Sequence, residues 1–292
     1  MQLPSRHPVL LAAIAALALP AVRPAAARAQ ASVNADVTTA NAYVWRGLTF
    51  TNRPVVQPDA YVTLPAGRGS LVAGAALNVE PVAYKGAHDL SVLGASSGTL
   101  VTATTLWAEY GRPVGALSVA AGVTGYVYPQ ANGVGDAYNT AELYARAAAG
   151  GPLAPTLVAY YDVGRVRGAY VEGSLRHLVP AGRRVGVTLG AAAGLSLGQG
   201  TDPAGRQTAY FAADGLTHLD LSAAATWTAG AMTVTPSVHG LLLRDAATRL
   251  TAPNELHARR VNLGVTLGWA RALTHAHVAA SEARRACYWY WM

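Results

Sequence analysis

The sequence has little charge, a single cysteine and no long apolar run after its N-terminal segment. Charged residues make up 13% of the 292 residues, against 52% hydrophobic ones, and a soluble protein so poor in charge would need a very large core. Cys287 has no partner for a structural disulfide, so the fold must hold without covalent cross-links. The missing apolar run argues against transmembrane helices. A transmembrane β-barrel satisfies these observations, because half of each strand faces lipid and needs no charge.

The N-terminal segment has the pattern of a secretory signal peptide. Arg6 and His7 precede an apolar run at 9–21, and Ala27-Arg28-Ala29 offers a small-x-small cleavage site. The run is too short to span a membrane. We therefore predict that residues 1–29 are a cleaved signal peptide, and an N-terminal anchor helix is the less favoured alternative.

The formal net charge of +7 does not describe the region that follows the signal. Basic residues are concentrated in the signal and in the far C-terminal tail, where Glu282 is the one acidic residue. Without those two segments, residues 30–269 hold 16 basic and 14 acidic residues. This near-neutral balance argues against nucleic-acid binding, which requires a basic face.

Residues 261–269 form the clearest strand pattern in the chain. The odd positions, from Val261 to Trp269, are apolar, and the even positions are small or polar. A period of two places these sets on opposite faces of a strand. The spacing from Asn262 to Trp269 also resembles the C-terminal signal of bacterial outer-membrane barrels. We therefore expect this strand to bind the barrel-assembly machinery, with Trp269 at the level of an interfacial aromatic girdle.

Eleven further alternating segments precede this strand, and short and long connections alternate between them. This is the pattern of an all-β, antiparallel up-and-down transmembrane β-barrel, with short periplasmic turns and longer external loops. We predict about twelve strands within 30–269, with ten or fourteen as alternatives, and a disordered tail at 270–292. The twelve segments are 32–46, 55–64, 70–79, 100–110, 115–128, 138–149, 153–162, 168–178, 183–196, 216–228, 232–242 and 261–269.

Charges on two of these segments indicate which face is the lumen. Glu142 and Arg146 share a face of segment 138–149, and Glu172 and Arg176 share a face of segment 168–178. Charges are costly on a lipid face, so both sets should point inward. Acids and bases at similar heights across a lumen could select polar solutes. The alternative, equally open from the sequence, is that they pair and fill a narrow barrel.

A second polar set lies on segments 216–228 and 232–242. His218, Asp220 and Ser222 share one face, and Ser237 and His239 come from the next segment. A two-residue turn at Ala229-Gly230 would place Asp220 opposite His239 and Ser222 opposite Ser237. Acid, base and hydroxyl groups are the materials of a hydrolase. However, no nucleophile-elbow or metal-ligand motif accompanies them.

The opening of the barrel region resembles a bacterial family. The carriers of the resemblance are Tyr43-Val44-Trp45-Arg46-Gly47-Leu48-Thr49 and Pro54-Val55-Val56-Gln57-Pro58, with Tyr161-Asp162 and Tyr170-Val171-Glu172 further on. The chain is similar here to the TorF-type family of bacterial outer-membrane porins. The resemblance implies an outer-membrane barrel of porin function with no assigned catalytic residues. By parity, Arg46 and Gln57 should face the lumen.

The sequence thus predicts a porin-like channel in the outer membrane of a Gram-negative bacterium, for passive diffusion of small polar solutes or ions. The alternatives are a barrel hydrolase that uses Asp220, Ser222, Ser237 and His239, or a plugged structural or adhesive barrel. Expected partners are outer-membrane lipid, the assembly machinery, the solutes and a possible homo-oligomer. No nucleic acid, cofactor, metal or catalytic residue is expected. The predicted pore-lining residues are Arg46, Gln57, Asp59, Glu142, Arg146, Glu172, Arg176, His218, Asp220 and His239.

Overall fold

The described part of the chain forms twelve long strands, four short strands and one short helix. The structure is a computed structural model that describes residues 31–93, 100–129, 139–201 and 209–273. The predicted signal peptide and most of the predicted tail lie outside these residues. In chain order the elements are β1 (Ser32–Ala40), β2 (Tyr43–Trp45), β3 (Leu48–Thr51), β4 (Val55–Ala66), β5 (Gly69–Val79), β6 (Val101–Val114), β7 (Leu117–Val127), β8 (Thr140–Ala149), β9 (Thr156–Asp162), β10 (Ala169–Pro180), β11 (Val185–Leu197), β12 (Gly215–Ala229), β13 (Met232–Leu243), α1 (Ala246–Arg249), β14 (Leu250–Ala252), β15 (Glu255–Leu256) and β16 (Arg259–Ala272).

The twelve long strands close into one antiparallel barrel, which confirms the predicted fold and strand count. Their order around the barrel is β1-β16-β13-β12-β11-β10-β9-β8-β7-β6-β5-β4. The first strand, β1, pairs with the last, β16, as well as with β4. Closure leaves no unpaired strand edge, as the interior of a bilayer requires. Within the described residues, no helix is long and apolar enough to cross a membrane.

Side chains alternate between an apolar outer face and a polar inner face. Val261 and Leu263 on β16 are 60% and 54% exposed, whereas Gly264 and Thr266 between the outward residues are half-buried. Inside the barrel, the Thr266 hydroxyl lies 2.8 Å from that of Thr38 on the neighbouring β1. The alternation therefore follows the period of two that the sequence predicts.

The connections differ at the two ends of the barrel. At one end, which we call the turn end, two-residue turns join β4 to β5, β6 to β7 and β12 to β13. At the other, the loop end, longer connections carry β2, β3, α1, β14 and β15. The N-terminus of β1 and the C-terminus of β16 both lie at the turn end, because Ser32 pairs with Ala272.

The first predicted strand is too long. β1 ends at Ala40 instead of Arg46, and the Asn41 side chain accepts from Leu263 N at 2.9 Å beside the end of the strand. A continuous strand from 32 to 46 would place Tyr43 and Trp45 on the same apolar face as Val33 and Val37. They are instead buried, each 6% exposed, in the separate β2–β3 hairpin.

The register between β12 and β13 also differs from the prediction. Ala229 pairs with Met232, so the turn residues are Gly230 and Ala231. Gly230 has a φ of +61°, which a glycine adopts without strain. Moving the turn by one residue shifts the cross-strand pairs by two.

Candidate functional site

The connection between β1 and β4 folds into the barrel interior. It contains the β2–β3 hairpin, which we call the plug (residues 43–51). Its residues contact wall strands on several sides of the barrel. The wall residues contacted include Tyr126 on β7, Glu142 on β8, Tyr160 on β9, Tyr170 on β10, His218 on β12 and Arg260 on β16. Counting from β1 through β4, β5, β6 and β7, strand β8 is five positions away in a barrel of twelve. The plug therefore crosses the interior almost to the opposite wall.

A tight turn forms the tip of the plug. Trp45 pairs with Leu48, and the two residues between them, Arg46 and Gly47, have φ values of +51° and +82°. Positive φ at both central positions defines a type I′ hairpin turn. Arginine is an unfavourable choice for such a conformation, so the contacts of its side chain must offset the backbone strain. Gly47 is needed for a second reason, because a Cβ there would lie 3.0 Å from the Cβ of His218.

The side chain of Arg46 forms a bidentate ion pair with Glu142. Arg46 Nη1 and Nη2 donate to the two carboxylate oxygens of Glu142, each at 2.7 Å. The two side chains are 6% and 0% exposed. Tyr126 also donates its hydroxyl to Glu142 Oε2 at 3.0 Å. Burial alone would lower the pKa of Arg46, but the adjacent Glu142 carboxylate raises it well above the ordinary value, so the guanidinium stays charged.

Three aromatic rings surround the same guanidinium. The Cζ atom of Arg46 lies 4.2 Å from the ring centre of Trp45 and 4.3 Å from those of Tyr160 and Tyr170. These distances are well within cation–π range. Tyr160 and Tyr170 lie on neighbouring strands β9 and β10, with their ring centres 6.2 Å apart. Arg46 is therefore held by one carboxylate and by the faces of three rings.

The connection between β11 and β12 covers the plug from the loop end. The ring of Tyr210 meets that of Trp45 edge-on at 5.3 Å, and the ring of Phe211 stacks on Tyr170 at 5.9 Å. The Asp162 carboxylate accepts from the Tyr210 hydroxyl at 2.9 Å. Burial, and the negative charge of Asp162, raise the pKa of Tyr210. The loop-end half of the interior is thus filled by aromatic side chains around one ion pair.

A second arginine–glutamate pair lies closer to the turn end. Arg146 on β8 donates from Nη2 to Oε1 of Glu109 on β6 at 2.6 Å. The side chains are 13% and 12% exposed. Four residues separate Glu142 from Arg146 along β8, a distance of about 13 Å. The sequence analysis missed Glu109, although the alternation of segment 100–110 could have found it.

The other predicted lining residues are distributed over the wall and make mostly local contacts. Gln57 donates to Asn78 at 3.0 Å, and Asp59 lies opposite Asp36 in the β1–β4 register. Glu172 accepts from the Tyr170 hydroxyl at 3.4 Å, while Arg176 is half-buried on β10. Their role in lining a pore stays a prediction. The structure brings together Arg46 with Glu142, and Asp220 with His239, but does not join all ten residues into one site.

The predicted hydrolase group is only partly assembled. Asp220 Oδ2 and His239 Nδ1 lie 2.8 Å apart as diagonal neighbours, and His218 Nδ1 contacts the Thr217 hydroxyl at 3.1 Å. The predicted cross-strand pairs are wrong, because Ser222 lies opposite His239 and Ser237 lies opposite Ala224. Among the described residues, neither serine hydrogen-bonds His239. Across all residues that the structure describes, no group of three or more His, Cys, Asp or Glu side chains could hold a metal ion.

Comparison with known proteins gives structural but not sequence relatives. No family model matches the chain, and neither does any curated protein. A crystal structure of an outer-membrane channel from Pseudomonas putida F1 is similar to it at 13% identity, with a TM-score of 0.51, over 83% of this chain and 96% of the channel. The KdgM porin is similar at 10% identity and a TM-score of 0.45, over 82% and 98% of the two chains. The toluene transporter TodX of P. putida is similar at 9% identity and a TM-score of 0.44, over 86% and 92%. The likeness to the first of these establishes the barrel fold, and the TorF-type resemblance has no further support from the comparisons.

Proposed function

We propose that this chain is an outer-membrane porin-like channel for passive diffusion of small polar solutes or ions, narrowed at its loop end by the plug. One observation carries the proposal. The outer face of the closed barrel is apolar, whereas its inner wall carries charged side chains, with Glu142 in the half that the plug fills and the Arg146–Glu109 pair nearer the turn end. An interior of this kind suits a water-filled passage.

The attachment of the plug supports a passage that can open. The β2 and β3 strands belong to no barrel ladder. They pair with each other, and Thr51 at the end of β3 also forms a bridge with Ser91 in the connection between β5 and β6. The barrel wall closes without them, because Ala40 at the end of β1 already pairs with Val55 at the start of β4. Side chains hold the plug to the wall strands, and the Phe50 carbonyl also accepts from Val92 N at 2.8 Å in the connection between β5 and β6. Displacement of the plug would break that contact but no strand pairing of the barrel.

The finer features of the proposal concern location, lining and partners. The chain would lie in the outer membrane with the loop end outside, and would carry out no catalysis. The strand from Asn262 to Trp269 would bind the assembly machinery, and lipid would cover the outer face, in a monomer or a homo-oligomer. The TorF-type family is the proposed relative, on residues 43–49 of the plug and on 54–58, 161–162 and 170–172. The proposed lining remains Arg46, Gln57, Asp59, Glu142, Arg146, Glu172, Arg176, His218, Asp220 and His239.

Planar-bilayer recording tests the proposal. The full chain should give discrete conductance steps. A variant in which residues 41–54 are replaced by Asn-Gly should give larger and longer steps, because the paired ends Ala40 and Val55 need only a short turn. A folded wild-type barrel that stays silent at every voltage would overturn the channel proposal.

A second candidate function is favoured by the plug. Since aromatic side chains fill the loop-end half of the interior, the chain could be a closed barrel with a structural or adhesive role. This alternative expects the wild type to be silent and only the plug-deleted variant to conduct. The two candidates therefore differ in the wild-type recording.

A further inference from the structure

The barrel wall holds a group of side chains that would suit a cation even without the plug. Glu142 is fully buried and Glu172 is 7% exposed. The rings of Tyr126, Tyr160 and Tyr170 lie beside them, and all five residues belong to strands of the wall. We call these five residues the wall pocket. Among the described residues, the positive charge that pairs with Glu142 is that of Arg46, which belongs to the plug and not to the wall.

We propose that the wall pocket is a binding site for solutes that carry a guanidinium group, and that Arg46 occupies it as an internal substitute for the solute. The inference rests on the proposed function in one respect, since a solute reaches the pocket only when the plug moves. It adds the class of solute. The sequence predicts that acids and bases on β8 and β10 together select polar solutes, whereas the wall pocket assigns this role to the acids Glu142 and Glu172.

The geometry favours a planar cation over a spherical one. Glu142 presents both carboxylate oxygens at 2.7 Å to two nitrogens of one guanidinium plane. An ammonium group cannot donate two parallel N–H bonds from one plane to the two oxygens. Tyr160 and Tyr170 present ring faces at 4.3 Å to the same group. Ring faces stabilise a weakly hydrated organic cation, and they give Na⁺ no oxygen ligands in place of its water.

The charge of the pocket requires a replacement when Arg46 leaves. A carboxylate as deeply buried as Glu142 is costly without a partner. An anion would add repulsion from Glu142 and Glu172. A solute whose guanidinium enters as Arg46 withdraws would keep the pocket neutralised throughout, so the exchange would cost least for this class of solute.

Chemical rescue of an Arg46→Ala variant tests the inference. The full chain is purified in detergent, and its melting temperature is followed with millimolar guanidinium chloride, sodium chloride or urea. Urea is the matched control, because it has the same planar shape without the charge. We expect guanidinium alone to raise the melting temperature of the variant, and to bind about tenfold more tightly than Na⁺ because of the ring contacts. The wild type, with its pocket occupied, should show no rise.

The double variant Arg46→Ala/Glu142→Gln separates specific binding from a general salt effect. It leaves no unpaired charge at Glu142, so it should fold, and guanidinium should no longer raise its melting temperature. An equal rise with sodium, or a rise that persists in the double variant, would overturn the inference.

An Arg46→Lys variant covers the case in which Arg46→Ala does not fold. Lysine keeps the charge but cannot make the paired contact. Calorimetric titration should then detect guanidinium binding that the wild type lacks, and no binding would contradict the proposal. Failure of the channel proposal gives a different result, namely silent wild-type bilayers with rescue intact.

Discussion

The Arg46–Glu142 and Arg146–Glu109 pairs both lie in the barrel interior, but they differ in what they connect. Arg46–Glu142 joins the plug to the wall, whereas Arg146–Glu109 joins two wall strands. The first pair is the more buried, at 6% and 0% exposure against 13% and 12%. The Arg46–Glu142 pair therefore binds the plug to the wall, whereas the Arg146–Glu109 pair contributes to the charge of the wall itself.

This difference predicts different consequences when each pair is broken. Loss of Arg46–Glu142 should free the plug and leave the barrel closed around it, because the plug shares no ladder with the wall. Loss of Arg146–Glu109 should leave the plug in place and change the charge along the passage. Four sets of substitutions test this contrast, from the largest expected effect to the smallest.

The largest effect is expected from Arg46→Ala. The variant leaves the buried Glu142 carboxylate without its partner, which costs about 3–5 kcal/mol of unfolding free energy. Urea unfolding in lipid vesicles measures the loss. The double variant Arg46→Ala/Glu142→Gln should recover most of it, and an equal loss in both would mean that Glu142 does not depend on Arg46.

Charge reversal at Arg146 and Arg176 should change the ion selectivity of the channel. For the double variant Arg146→Glu/Arg176→Glu, we expect the reversal potential across a salt gradient to show a greater preference for cations, because two positive charges become negative. Arg183→Glu, in the exposed turn between β10 and β11, is the control and should cause no shift. No change in the double variant would remove Arg146 and Arg176 from the set that controls selectivity.

A smaller effect is expected from Gly47→Ala at the tip of the plug. Alanine at a positive φ costs about 1–2 kcal/mol. Gly67→Ala is the matched control, since Gly67 has a φ of +58° and nothing within 4 Å of an added Cβ. Gly47→Ala should cost more than Gly67→Ala in unfolding free energy, because its methyl group also meets His218 at 3.0 Å. Equal costs would mean that the tip does not pack against β12.

The smallest effect is expected from Ser222→Ala combined with Ser237→Ala. Neither serine hydrogen-bonds His239 within the described residues. Conductance should stay at the wild-type level, and no esterase or protease activity should be lost. Loss of a measurable hydrolytic activity would revive the enzyme alternative.

The barrel was predictable because its signals are local. Period-two alternation and Gly- or Pro-rich turns are properties of neighbouring residues, and they predicted all twelve wall strands. The exact position of a turn was harder to predict from the sequence. The turn between β12 and β13 was placed one residue too early, which gave wrong cross-strand partners for Ser222 and Ser237.

The plug was not predictable from the same signals. Tyr43 and Trp45 continue the parity of Val33 and Val37, so alternation extended the first strand to Arg46. Alternation gives the face of a side chain but not the point at which the chain leaves the wall. Arg46 and Glu142 were each predicted to face inward, yet their contact depends on a loop that crosses the barrel. That contact joins residues 96 positions apart, which no local pattern encodes.

The most direct test of the fastened plug compares the same substitution at the two pairs. Single-channel recordings of Glu142→Gln and Glu109→Gln are made beside the wild type in one membrane. We predict longer open times for Glu142→Gln, because Arg46 loses its anionic partner. For Glu109→Gln we predict wild-type open times, with a shift of ion preference toward anions. Identical open times for Glu142→Gln and the wild type would contradict the proposal that the Arg46–Glu142 pair holds the plug in the passage.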